Sequence, residues 1–240
     1  MRIIIVRMTR SIPDMQFQEL CLEVSPKRQQ RILRFVYKKD AERSLLSELI
    51  VRYVIEQNLG LTGVQVSFGE GAYGKPFLMG HEDFQYSISH SGDYVVCAFD
   101  TEPVGLDIEQ IGSNQMDIAA RYYTVLENQY LQEEGIAEEE QLRRFYEIWS
   151  LKESYMKATG QGLSMPLESF SVYKDVDSGE FRCISEADPK PWYLRQYPVD
   201  DQYCMALCST HVIQDEQVEQ WDMMDFIGMV KADSRIHLMD

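Results

Sequence analysis

The stretch 104-VGLDIE-109 decides how the chain is read. As a strand it sends Val104, Leu106 and Ile108 to one face and Gly105, Asp107 and Glu109 to the other. The three aliphatic side chains ask for a buried sheet surface. The two carboxylates repel each other at that separation unless a cation lies between them. An exposed sheet edge is the alternative for this pair.

The helical run 145-FYEIWSLKESYMKATG-160 offers a partner. Trp149, Glu153 and Lys157 are spaced four apart and share one face, and Gly160 is placed to end the helix. By spacing alone, Glu153 and Lys157 also fit a surface ion pair worth about 0.2–0.5 kcal/mol. The aromatic on the same face and the two acids on the strand favour a covered face. Three carboxylates from a strand and a facing helix, with no convergent His or Cys, make a hard-oxygen site. That chemistry suits Mg²⁺ or Mn²⁺, completed by phosphate oxygens of a substrate.

In 86-YSISHSGDY-94, Ser87, Ser89 and Ser91 alternate with Ile88 and His90 up to a Gly-Asp turn. Hydroxyls and an imidazole at a strand end can donate to phosphate oxygens. A serine-hydrolase reading fails, because strand neighbours Ser89 and His90 face opposite ways and no GxSxG elbow occurs. The turn 71-GAYGKPFL-78 could hold a flat ring by backbone contacts, with Lys75 adding a cation and Pro76 stiffening the exit.

Outward from these segments, element order repeats. The first half reads as a strand (RIIIVRM), a basic turn, a helix (DAERSLLSELIVRYVIEQNLG) and two strands, YSISHS and DYVVCAFD. The second reads as VGLDIEQI, a helical stretch, the long helix QLRRFYEIWSLKESYMKATGQGL, then strands FSVYKD, FRCIS, PWYLRQY and QYCMALCS. The expectation is an α+β fold, sandwich-like, of two pseudo-twofold-related halves at 1–103 and 104–212. A tail helix at 213–240 carries the amphipathic run VEQWDMMDFIGMV. A cleft between such halves is a favoured ligand site. EEGIAEEE reads as a solvated connection between helices.

Composition sets the outer bounds. The chain has 240 residues and formal charge −16, which argues against nucleic acid as a partner. Against that total, residues 27–43 carry Lys27, Arg28, Arg31, Arg34, Lys38, Lys39 and Arg43 with only Asp40 and Glu42. A basic island in an acidic chain implies a local anionic ligand, with a solvated helix face as the alternative. No apolar run approaches the roughly 18 residues of a membrane span. The start, broken by Arg7, is too short for a signal peptide core. A cytoplasmic protein with five reduced cysteines, at 21, 97, 183, 204 and 208, is expected.

Together GKPFL, SISHS, GLDIE and WSLKESYMKATGQGLSMPLESFSV, in that order, resemble the 4′-phosphopantetheinyl transferases. The likeness, from about residue 25 to about 210, is to the larger type that activates non-ribosomal peptide synthetases. It implies a pseudo-symmetric monomer with coenzyme A bound between the halves as donor. It also implies an apo acyl or peptidyl carrier protein as acceptor and Mg²⁺ (or Mn²⁺) as the metal. Asp107, Glu109 and Glu153 would be metal ligands. Lys157 would reach the pyrophosphate, Lys75 and Pro76 flank the adenine, and Ser89 and His90 touch phosphate. Arg28, Arg31 and Ser44 would meet the 3′-phosphate, and Lys152 joins the donor-binding set. Glu153, Lys157 and Glu127 would be catalytic, although the RYYTVLENQYL segment around Glu127 matches only loosely. Arginines at 28 and 31 stand where lysines are common, keeping charge but changing reach. A Mg²⁺-dependent phosphohydrolase and a non-catalytic binding module are the rival functions.

Overall fold

Four consecutive buried aliphatics, Ile3 to Val6, begin the chain and need cover on both faces. The computed structural model, which describes residues 1–113, 116–214 and 216–236 (backbone alone for 233–236), supplies it. The chain runs β1 (Arg2–Arg7), α1 (Asp14–Cys21), α2 (Pro26–Ile32), α3 (Lys38–Leu59), β2 (Phe68–Glu70), β3 (Pro76–Leu78), β4 (Gln85–Ser91) and β5 (Tyr94–Asp100). It continues with β6 (Val104–Gln110), α4 (Met116–Tyr122), α5 (Val125–Leu131), α6 (Glu138–Thr159), β7 (Phe170–Lys174), β8 (Phe181–Ser185), β9 (Tyr193–Tyr197), β10 (Tyr203–Ser209), β11 (Gln217–Asp222) and α7 (Met223–Ile236).

Two principal sheets form, ordered β11-β1-β5-β4 and β6-β10-β9-β8-β7, beside a short β2-β3 hairpin. The halves repeat each other: β5 lies between β1 and β4 as β10 lies between β6 and β9, in antiparallel pairs throughout. Helices α3 and α6 are 22 residues each and end at Gly60 (φ +65°) and Gly160 (φ +74°). Those left-handed positions stop each helix without a Cβ penalty.

Alternation along the strands builds the layers. Ile4, Val6, Val95 and Cys97 pack with α3 and α7, whereas Cys204, Ala206 and Cys208 pack with α6. The opposite faces meet in a shared core of Ile3, Ile5, Val96, Ala98, Val104, Leu106, Ile108, Met205 and Leu207. Each of these side chains larger than alanine contributes roughly 1.5–3 kcal/mol by leaving water. The fold is therefore α+β, helix on sheet on sheet on helix, in two similar halves.

Three local readings change. The basic turn is the helix α2, whose N-cap Ser25 accepts from the Arg28 N–H and is followed by Pro26. Glu138, Glu139 and Glu140 of the expected connection form the first turn of α6, where acids favour the positive end of the helix dipole. The run VEQWDMMDFIGMV, expected helical throughout, divides: its first residues belong to β11, parallel to β1, and only the rest enters α7. An open edge of β1 is thereby paired. Residues 237–240 of the expected tail lie outside the described residues.

Candidate functional site

The site forms where β6 lies between α6 and β4. Gly105 decides how close the helix comes: a Cβ there would stand 1.9 Å from the Ser154 carbonyl oxygen and 2.4 Å from the Ala158 nitrogen. With only hydrogen at that point, α6 rests backbone to backbone on β6 and brings Glu153 and Lys157 beside the strand's acids. Asp107 Oδ1 accepts from Lys157 Nζ at 2.6 Å and from Ser89 Oγ at 2.8 Å. Lys157 Nζ also donates to Ser89 Oγ at 2.8 Å. Asp107 Oδ2 is buried and has no hydrogen-bond partner.

The serine alternation in β4 acquires a structural meaning. Strands β4 and β6 belong to different sheets, and hydroxyls join them. The Leu106 N–H donates to Ser87 Oγ at 2.9 Å and the Gln110 N–H to Ser91 Oγ at 3.0 Å. Ser91 Oγ in turn donates to Glu109 Oε2 at 3.0 Å. Ser89 joins the acids, while His90 stands on the strand's other side among the charges of α2 and α3. Though the ring is exposed, crowding by the surrounding protein is the largest cause lowering the His90 pKa. The cations Arg43, Lys157 and Arg31 add to it.

Burial first, and neighbouring acid second, strains the two glutamates of the site. Burial and then Asp107 push the Glu109 carboxyl up to about 7, against smaller relief from Ser91 and Lys157. Burial and Asp107 likewise raise Glu153. Lys157, bonded to Asp107, lowers Glu109 and Glu153 less than burial and Asp107 raise them. The donor set, all oxygen with one buried oxygen unpartnered, fits a hard divalent cation. Among the described residues no group of three His, Cys, Asp or Glu side chains stands at metal-binding spacing. Mg²⁺ does not require one, since it is usually bound by one or two carboxylates with water and phosphate oxygens.

A cleft of about 540 Å³ lies on the other side of β4. Arg28, Arg31 and Arg34 of the α2 region line it, with Pro76, Phe68, Tyr86 and Ile88 opposite. Arg28 Nη1 donates to Ser44 Oγ at 3.3 Å, so these two expected residues meet. Lys75 is turned inward: its Nζ donates to the Val104 and Ala158 carbonyls at 3.2 and 3.3 Å, and burial lowers its pKa to about 8. It ties the β2-β3 turn to the C-terminal end of α6, where a cation complements the dipole.

Glu127 and Lys152 need correction. Both side chains are 0% exposed and form an ion pair at 2.5 Å. Glu127 also accepts from the Val172 and Thr124 N–H groups, and Lys152 donates to the Phe170 carbonyl. The pair joins α5, α6 and β7 in the interior, so neither reaches solvent or the cleft as a catalytic or donor-binding side chain. Glu48 is the residue that sequence reasoning misses, whereas Ser91 and Gly105 lie within the quoted motifs and only their contacts, with Glu109 and with α6, come from packing. Glu48 carried no signal, standing among the apolar residues of a helical run.

Comparison with known proteins shows the family. The model of the 4′-phosphopantetheinyl transferase superfamily matches residues 103–208, and that of the 4′-phosphopantetheinyl transferase N-terminal region matches residues 12–102. The chain belongs to the 4′-phosphopantetheinyl transferase family and is a transferase. It is similar to the 4′-phosphopantetheinyl transferase Sfp of Bacillus subtilis (strain 168), 36% identical over 88% of this chain and 93% of that protein. It is also similar to the 4′-phosphopantetheinyl transferase gsp of Aneurinibacillus migulanus, 39% identical over 71% and 70%. A holo-(acyl-carrier-protein) synthase from Bacillus anthracis str. Ames, solved in complex with CoA (3′,5′-ADP), aligns with 44% of this chain and 92% of its own. The TM-score is 0.39 and the identity 20%.

Proposed function

We propose that the protein transfers the 4′-phosphopantetheine arm of coenzyme A to a serine hydroxyl of an apo carrier protein, releasing adenosine 3′,5′-bisphosphate. The observation that carries this is the convergence of Asp107 and Glu109 on β6 with Glu153 and Lys157 on α6, next to a basic cleft. Asp107, Glu109 and Glu153 would hold Mg²⁺, one or two of them directly and the rest through water, and the ion would offset the charge of the diphosphate. Mn²⁺ would serve the same donor set.

In this reading Arg28 and Arg31 hold the 3′-phosphate in the cleft with buried Ser44 behind Arg28, Pro76 borders the base, and His90 and Ser89 contact phosphate, Ser89 by turning its one proton away from Asp107. Lys75 fixes the turn that carries Pro76. Glu153 takes the proton from the attacking serine, directly or through a water. Lys157 donates to the α-phosphate oxygen as it departs. Residues 1–103 supply the donor site, residues 104–212 the acids and Lys157, and residues 213–240 the tail. The protein acts as a cytoplasmic monomer on acyl or peptidyl carrier protein domains. No helix among the described residues is long and apolar enough to cross a membrane.

The test mixes the protein with apo carrier protein, coenzyme A and Mg²⁺. Mass spectrometry should show a gain of one phosphopantetheine, lost in Asp107→Ala. Wild-type loading by Asp107→Ala would overturn the assignment of the acids. Rapid bisphosphate release without a carrier would instead mean hydrolysis, and donor binding without turnover a non-catalytic module.

A further inference from the structure

Glu48, on α3, is 4% exposed at its side chain, yet it lines the basic cleft. Its carboxylate is fully engaged. Oε1 accepts from the Ser25 N–H at 2.6 Å and Arg52 Nε at 2.9 Å. Oε2 accepts from Ser25 Oγ at 3.0 Å and Arg28 Nε at 3.2 Å. A carboxylate offers about four acceptor positions, so none is left for a ligand. Its partners are the N-cap of α2, the first arginine of α2, and a second arginine one turn further along α3.

We propose that Glu48 is a positioning residue that holds Arg28 ready for the terminal phosphate of the donor and so sets selectivity for a 3′-phosphorylated nucleotide. The inference rests on the transferase reading above. With Nε fixed by Glu48 and Nη1 by Ser44, the guanidinium is restrained in plane and position, and its remaining N–H groups stay available to the cleft. A loose arginine would lose side-chain freedom on gripping phosphate, and a held one has already lost it. The second cation, Arg52, keeps the acid from neutralising Arg28 outright, so the cleft stays positive.

The experiment measures KM and kcat for carrier loading with coenzyme A and with dephospho-coenzyme A, which lacks only the 3′-phosphate. Glu48→Gln should raise KM for coenzyme A about tenfold, the scale of one weakened charge-assisted bond. Its kcat, and its KM for dephospho-coenzyme A, should stay at wild-type values. In an Arg28→Ala background the same change should add nothing, because Glu48 acts through Arg28. An equal rise with both donors, a fall in kcat alone, or additive losses in the double variant would overturn the proposal. Should Glu48→Gln fail to fold, Glu48→Asp provides the second variant, with the same selective loss expected. If the wild-type protein loads no carrier, the transferase reading fails on its own. Calorimetry with adenosine 3′,5′-bisphosphate and AMP then still tests Glu48, whose variants should weaken the first ligand and leave the second unchanged.

Discussion

Substituting Gly105 by alanine tests whether the approach of α6 to β6 sets the geometry of the site. The added Cβ would lie 1.9 Å from the Ser154 carbonyl oxygen and 2.4 Å from the Ala158 nitrogen, both backbone atoms of a 22-residue helix. Ordinary contact begins at 3.4 Å, so the shortfall is 3.4 − 1.9 = 1.5 Å. No rotamer relieves it; the helix must move. Overpacking of this kind costs about 1–3 kcal/mol and occasionally more. At about 2–4 °C per kcal/mol for a chain of this size, Tm should fall by about 2–12 °C. Moving α6 by that distance would stretch the 2.6 Å bond between Lys157 and Asp107 beyond hydrogen-bonding range. Misplacement of reacting groups by about 1 Å costs roughly 100-fold in rate. Carrier loading followed by mass spectrometry, beside calorimetric Tm, reads both effects. Gly228→Ala is the control: nothing lies within 4 Å of its Cβ, and it sits within α7, where alanine gains up to about 1 kcal/mol. Wild-type rate and wild-type Tm in Gly105→Ala would refute the close-contact reasoning.

Other outcomes follow from the same interior. Lys152→Met should destabilise the protein by about 3–5 kcal/mol in denaturant unfolding, since it leaves the Glu127 carboxylate buried without its cation. Matched replacement of both residues by apolar ones should recover much of that loss. For Glu109, the folded pKa of about 7 exceeds the ordinary carboxylate value, so between about 4.5 and 7 the folded state holds a proton that the unfolded chain has released. Stability from this group is therefore present at low pH and lost as pH rises through 7. Unfolding of the metal-free protein across that window should show the downward slope, and millimolar Mg²⁺ should flatten it. Lys157→Ala should cut carrier loading at least 100-fold while leaving nucleotide binding in the arginine cleft nearly intact, which calorimetry would check.

Much of this molecule was legible in the order of its residues. Alternation in VGLDIE separated the core face from the acidic face, because a strand has a period of two. The four-residue spacing of Glu153 and Lys157 put both on one side of a helix for the same local reason. The glycines at 60 and 160, as helix stops, belong to the same class of short-range signal. Positions and partners across the fold were not legible in this way. Ser87 and Ser91, read as phosphate donors, are hydroxyl links between the edges of two sheets, and only the packing of the halves brings β4 alongside β6. Glu127 and Lys152 carry residue types at home in an active site, yet α5 and β7 close over them and leave an internal ion pair. Residues 217–222 carry a helical-looking pattern but extend into a strand, since pairing with the free edge of β1 outweighs local propensity. Sequence by itself determined which way each side chain faces along its own element, because that depends on neighbours a few positions away. Which element lies opposite depends on burial and backbone pairing between residues as far apart as Arg2 and Gln217, and tertiary structure alone decided it.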